Sequence, residues 1–145
     1  MSEELECVVI GGGAAGLSAA LVLGRARRDT LVIDAGEQSN RPHHGIGGLL
    51  GNNGTPPAHF YEEAASEVDQ HPTVERISGS VNTGTLENGR FRLTTDDGQE
   101  ITTPNLLLAT GMKYEYPDLP GIAEIWGRDA FHCPFCHGWG ARDGH

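Results

Sequence analysis

Positive charge is scarce in this chain of 145 residues: ten Lys and Arg stand against twenty Asp and Glu, a formal charge of −10. The arginines are mostly dispersed apart from Arg25, Arg27 and Arg28, so there is no basic patch for a phosphate backbone and nucleic acid is not an expected partner. Long apolar runs are missing too. None approaches the roughly 20 residues that span a bilayer. The opening Met1-Ser2-Glu3-Glu4 is acidic where a signal peptide is basic, and these features together predict a soluble, cytoplasmic protein with no membrane partner. Cysteine is sparse: Cys7 lies alone in an apolar stretch, and Cys133 and Cys136 form a close pair, an odd total unlike a secreted disulfide framework. No internal repeat or low-complexity tract is visible, and the length leaves no room for a second full domain.

What is present is glycine, placed where strands end. Leu5 to Ile10 is mainly apolar and runs into Gly11-Gly12-Gly13, the pattern of a buried parallel strand feeding a tight turn. From Ala14 a helix is predicted, with Leu17, Ala20, Leu21 and Gly24 at three- and four-residue spacing and Arg25, Arg27 and Arg28 at the negative end of its dipole. Thr30 to Asp34 is a second buried strand, which closes a strand-helix-strand unit of about 30 residues. The irregular stretch from Ala35 to Pro57 is predicted to be a functional loop. Thr55 caps a second helix with Pro56 and Pro57 in its first turn, and the stripe of Phe60, Ala64 and Val68 carries it to about Gln70.

Val74 to Val81 is β-rich, and the segments around Leu86, Phe91 to Leu93 and Ile101 are separated by Asn88-Gly89 and Asp97-Gly98, so this region is predicted to be a small antiparallel meander. Asn105 to Ala109 returns to a buried strand, ended by Thr110-Gly111 on the edge where the first strand ends. The expected class is α/β, a Rossmann-like parallel sheet plus the meander over residues 1–117. The proline-rich stretch from Pro117 to Gly121 marks the boundary, with a linker and a further segment at 118–145 that is expected to be mobile from Ile122.

Gly11-x-Gly13-x-x-Gly16 follows a strand, opens a helix, and is followed 18 residues later by Asp34 at the end of the second strand. That context turns a weak motif into a dinucleotide fingerprint. Gly11 permits the sharp turn, Gly13 lets backbone approach a pyrophosphate, and Gly16 allows close helix-sheet packing. The helix N-terminus offers amide groups to phosphate. Asp34 accepts from a ribose 2′-hydroxyl and repels a 2′-phosphate, so FAD or NAD is favoured over NADP.

The Gly-Gly-Gly-Ala-Ala-Gly opening, the meander, Leu106-Leu107-Leu108-Ala109-Thr110-Gly111 and Cys133-Pro134-Phe135-Cys136 stand in the order found in low-molecular-weight thioredoxin reductases. The chain resembles the front portion of that family over nearly its whole length. The resemblance implies an FAD-binding first segment at 1–117, and at 118–145 the start of a truncated segment like the NADPH domain. It implies FAD contacts at Gly11, Gly13, Ala14, Ala15, Gly16, Asp34, Ala35, Ala109, Thr110 and Gly111. It places Asn40 and Arg41 near the pyrophosphate or flavin and Val81 near the adenine. The family's usual pair is Cys-Ala-Thr-Cys followed by Asp. Cys-Pro-Phe-Cys followed by His137 is more similar to the related dithiol oxidases, and Trp139-Gly140 departs from the expected aromatic followed by Glu. An NADPH site belongs to the family, but no second glycine motif is present here, and the family's last flavin-contacting segment is missing, so the domain is expected to be incomplete.

A Cys-x-x-Cys at a helix start stabilises a thiolate, which suits thiol-disulfide exchange between FAD and a small-molecule or protein thiol. On that reading Cys133 and Cys136 are the redox pair and His137, with an ordinary pKa near 6.5, is the acid/base. Two readings stand beside it: inert thiols, and a metal site drawing on His132, Cys133, Cys136, His137 and His145. The metal reading is disfavoured, because adjacent Cys and His do not readily share one tetrahedral centre, and no metal ligands are assigned. Cys7 is expected to be packing. His43 and His44 fall in the proposed cofactor loop, whereas His59 and His71 are read as surface residues. The function classes are therefore an FAD-dependent disulfide or dithiol oxidoreductase, a truncated or split FAD-binding module without turnover of its own, and a metal-binding interaction domain. A homo-oligomer or a complementing chain is compatible with each.

Overall fold

The computed structural model describes residues 5–140 and 142. They form two compact units, one from the chain up to Gln38 together with Glu63–Gly111, the other from Ser39–Glu62 together with the chain from Met112 onward.

The first unit is built on a parallel sheet. Strand β1 (Cys7–Ile10) feeds helix α1 (Ala14–Arg25), which returns to strand β2 (Thr30–Asp34), and the two strands pair in parallel with Val8 opposite Leu31 and Ile10 opposite Ile33. Helix α2 (Pro57–Asp69) leads into strand β3 (Val74–Ser78), which joins β2 in parallel with Asp34 opposite Ser78. The antiparallel strands β4 (Val81–Glu87), β5 (Arg90–Thr95) and β6 (Glu100–Thr103) then form a separate sheet, and β7 (Leu106–Leu108) comes back beside β1. The orders are β3-β2-β1-β7 and β4-β5-β6.

The apolar runs of β1 and β2 are continuous because both faces are covered. Val8, Leu31 and Ile33 pack with Leu93 and Ile101 of the meander, with Ile10, Ile77, Val81 and Leu106 around them. On the opposite face Val9 lies under α1, close to Gly16, and Leu17 and Ala20 are buried. Each fully buried Val, Leu or Ile side chain among them contributes roughly 1.5–3 kcal/mol by leaving water. The meander turns where its dipeptides dictate: Asn88 and Gly89 both take positive φ, 51° and 77°, as a two-residue hairpin turn of the primed type requires.

One sequence expectation is revised. Val74 to Val81 reads as one β-rich run belonging to the meander, but it divides at Gly79-Ser80, so that β3 lies in the parallel sheet and β4 in the antiparallel one. The physical reason is the helix before it: a strand entered through a helical crossover from β2 returns parallel to β2.

In the second unit, the loop at 39–56 folds on itself through Ile46 N–H to Thr55 O and Gly54 N–H to Ile46 O. Helix α3 (Ile122–Ile125), a bridge between Trp126 and Ala130, and helix α4 (Pro134–His137) follow. Aromatic rings pack on one another in this unit: Tyr116 on Trp126, and Tyr114 stacked on His132 with centroids 3.5 Å apart. No helix among the described residues is long and apolar enough to cross a membrane.

Candidate functional site

At the carboxyl edge of the parallel sheet, three strand ends meet around the glycine turn. Gly11 donates its N–H to Ile33 O (2.8 Å), and Ala109 donates to Ile10 O (2.8 Å). Gly11 has φ 105°, and a Cβ there would lie 2.2 Å from Ala109 O, so turn and neighbouring strand approach as only glycine permits. A Cβ on Gly16 would lie 1.8 Å from Gly11 O, which is why α1 can start so close to the turn it follows.

Gly13 differs: the nearest atom to a Cβ built on it is Gln38 Cγ at 3.8 Å, so this backbone borders open space. Gly13 is the N-cap of α1, supplies no side-chain cap, and no acidic residue lies in the first turn. The helix therefore presents its amide groups and the positive end of its dipole beside a surface that also exposes Ala14 and Ala15.

Asp34 ends β2 next to this turn. Its Oδ1 accepts from Gly12 N–H (3.0 Å) and Gly36 N–H (3.2 Å), and Gln38 Nε2 donates to Oδ2 (3.0 Å). Ala35, Thr110 and Gly111 are exposed. Val81 opens β4 and is half-buried against the core, two residues beyond Gly79, whose N–H donates to Asp34 O (3.0 Å). Of the residues singled out from sequence, Gly11, Gly13 to Gly16, Asp34, Ala35 and Ala109 to Gly111 thus gather at one sheet edge. Asn40 and Arg41 belong to the second unit. There Tyr61 donates its hydroxyl to Asn40 Oδ1 (2.9 Å), and Arg41 lies over the Tyr61 ring with Cζ 5.8 Å from its centroid. Sequence reasoning assigned no contact to Gly12, the variable position of the glycine motif, and passed over Gln38 and Tyr61, which carry no motif.

In the second unit, Cys133 and Cys136 are joined by a disulfide, with Cα atoms 5.3 Å apart. Cys133 is the N-cap of α4, and its Sγ accepts from Cys136 N–H (3.1 Å). The loop packs against this turn so closely that a Cβ on Gly47 would meet Cys136 O at 1.8 Å. His137 is half-buried, its Nδ1 buried without a hydrogen-bond partner. Burial, then the neighbouring His43 ring, pushes its pKa below the ordinary value; His132 adds to this, and a backbone hydrogen bond with Cys133 opposes it. His43 is buried, hydrogen-bonded through Nδ1 to Gly127 O (2.6 Å), and its ring centroid lies 3.8 Å from that of His137. The sequence placed His43 in a loop of interest without the partner that gives it meaning. Both sulfurs of the pair are taken by the disulfide, no cluster of three or more metal-ligating side chains occurs among the described residues, and His145 lies outside them.

Residues 5–140 match the pyridine nucleotide-disulphide oxidoreductase family. The chain is 36% identical to thioredoxin reductase aclD of Aspergillus oryzae, over 94% of this chain and 44% of that protein. Among solved structures it is similar to a putative thioredoxin reductase from Bacillus anthracis, 37% identical with a TM-score of 0.91 over 96% of this chain and 47% of that one. An oxidoreductase from Agrobacterium tumefaciens is 40% identical, again with a TM-score of 0.91 over 96% and 47% of the two chains. The chain thus spans a little under half the length of these relatives.

Proposed function

Because the chain belongs to the pyridine nucleotide-disulphide oxidoreductase family, we propose that its glycine turn holds FAD and that Cys133 and Cys136 exchange electrons between flavin and a thiol substrate. The observation that carries the reading is the Gly12 amide on the Asp34 carboxylate beside the uncapped start of α1, with Gly13 opening on space. A dinucleotide needs that combination: amides for the diphosphate, bare backbone for its close approach, and a carboxylate for a ribose hydroxyl.

On this reading Gly11, Gly13, Ala14, Ala15 and Gly16 surround the diphosphate, Asp34 and Ala35 the ribose, and Ala109, Thr110 and Gly111 line the same cofactor. Asn40 and Arg41 serve the pyrophosphate or flavin, and Val81 the adenine. Bound FAD supplies a two-electron carrier. The chain's own chemistry is disulfide exchange. A substrate thiolate attacks one sulfur of the Cys133-Cys136 bond, which breaks as a mixed disulfide forms. The second substrate thiolate then displaces the remaining cysteine, leaving a substrate disulfide and a reduced pair, with two electrons and two protons passed to the protein. His137, neutral at pH 7 by the burial described above, takes a thiol proton. The substrate class is a small-molecule or protein dithiol, the direction is set by relative potentials, and the cytoplasm is the compartment where such a pair cycles.

A second reading follows from the 44% coverage of the Aspergillus oryzae relative: a flavin-binding module whose turnover needs residues that this sequence does not contain, a nicotinamide site above all. One experiment separates the two. The chain is mixed with FAD, desalted, and given a dithiol without oxygen. Retained yellow colour that bleaches, with bleaching lost in Cys136→Ser, supports the oxidoreductase. Colour that persists unbleached supports the module, and a colourless protein overturns both.

A further inference from the structure

Gln38 lies four residues beyond Asp34, past the end of β2. Its carboxamide nitrogen donates to Asp34 Oδ2 (3.0 Å), Asp34 Oδ1 (3.3 Å) and Gly12 O (3.3 Å). All three neighbours are acceptors, so only the nitrogen end of the carboxamide fits there. The side chain runs beside the turn, its Cγ being the atom nearest to a Cβ built on Gly13. One side chain thus ties the acid of β2 to the carbonyl of the glycine turn.

A carboxylate rotates readily about its last bond, and its hydrogen bonds decide which way the plane faces. Asp34 Oδ1 is gripped by the amides of Gly12 and Gly36, and the grip on Oδ2 comes from Gln38. The geometry points to Gln38 as a positioning residue that holds the Asp34 carboxylate against the glycine turn, ready for the hydroxyls of a ribose. This rests on the FAD reading above and adds to it a residue that no motif marks. Its hold is independent of any ligand, so it is measurable in the chain alone. The charge that bears on Asp34 from the adjoining strand is Arg76 of β3, and the first turn of α1 carries no acidic side chain.

Two variants of the 145-residue chain test it. In Gln38→Leu, the ligand-free chain is expected to exchange its Gly12 amide about tenfold faster than wild type, with the amides of Val9 and Val32 unchanged, and FAD to bind about tenfold more weakly, the order of one charge-assisted hydrogen bond. In Gln38→Glu, two carboxylates face each other, so one of them is protonated more readily than usual. FAD affinity is then expected to be poor at pH 8 and to recover toward the wild-type value at pH 5, where a shared proton restores a donor, while wild type changes little. A residue that only fills space gives no such recovery. An unchanged Gly12 exchange rate in Gln38→Leu, FAD binding within twofold of wild type, or a Gln38→Glu deficit equal at both pH values overturns the assignment. If wild type binds no FAD, it is the FAD reading that falls, and the Gly12 exchange rate alone then decides whether Gln38 holds Asp34.

Discussion

Gly16→Ala and Gly13→Ala are the same chemical change three residues apart, and the structure separates their consequences. At Gly16 the new methyl lies 1.8 Å from Gly11 O and 2.9 Å from Gly11 C, both backbone atoms, where real contacts stay beyond 3.0 Å. Helix α1 must recede from the glycine turn by about 1 Å, and overpacking of this kind costs roughly 1–3 kcal/mol. Rigid backbone on both sides puts Gly16→Ala at the upper end, about 3 kcal/mol, a large share of the 5–15 kcal/mol typical of a domain. For a chain of this size that lowers the melting temperature by about 10 °C. At Gly13 the nearest atom lies 3.8 Å from the methyl, so the cost is that of an alanine N-cap, at most about 1 kcal/mol. The methyl instead occupies the space into which a diphosphate would come, so FAD affinity is expected to fall at least about tenfold. Circular dichroism melts and fluorescence titration with FAD read the two effects. A Gly16→Ala melt within about 3 °C of wild type, or unchanged FAD affinity in Gly13→Ala, refutes the reasoning.

Other tests follow from particular contacts. His137 has a folded-state pKa below its ordinary 6.5, so its contribution to stability is present above that value and is lost as pH falls through the folded one. Melts at pH 7 and pH 5 are expected to differ less in His137→Phe than in wild type. Gly89→Ala forces a side chain into φ 77° and is expected to cost about 1 kcal/mol in chemical denaturation. Arg76 makes two 2.7 Å hydrogen bonds to Asp69, but both are partly exposed, so Arg76→Ala is expected to cost no more than about 1 kcal/mol. Burial raises the Cys7 thiol pKa, so a thiol reagent is expected to label native chain slowly and denatured chain at the ordinary rate.

The parallel unit was legible because its determinants are local. Apolar runs that end in glycine, a carboxylate at the end of β2, and Asn-Gly and Asp-Gly turns each act within a few residues. The sheet to which Val74–Ser78 belongs was less legible, since pairing with β2 depends on the crossover that precedes it. His43 is further from reach. Its meaning lies in Gly127 and His137, more than 80 residues away, and no periodicity or spacing connects them. Gln38 was passed over for another reason: a polar residue in a loop looks ordinary until its three acceptors are seen together.

Amide-resolved NMR during an FAD titration of the chain tests the central claim most directly. Shifts are expected to concentrate at Gly12 to Gly16, at Gly36 beside Asp34, and at Ala109 to Gly111, saturating together with one affinity. Shifts spread elsewhere, or none at these amides at saturating FAD, contradict the placement of the cofactor on this turn.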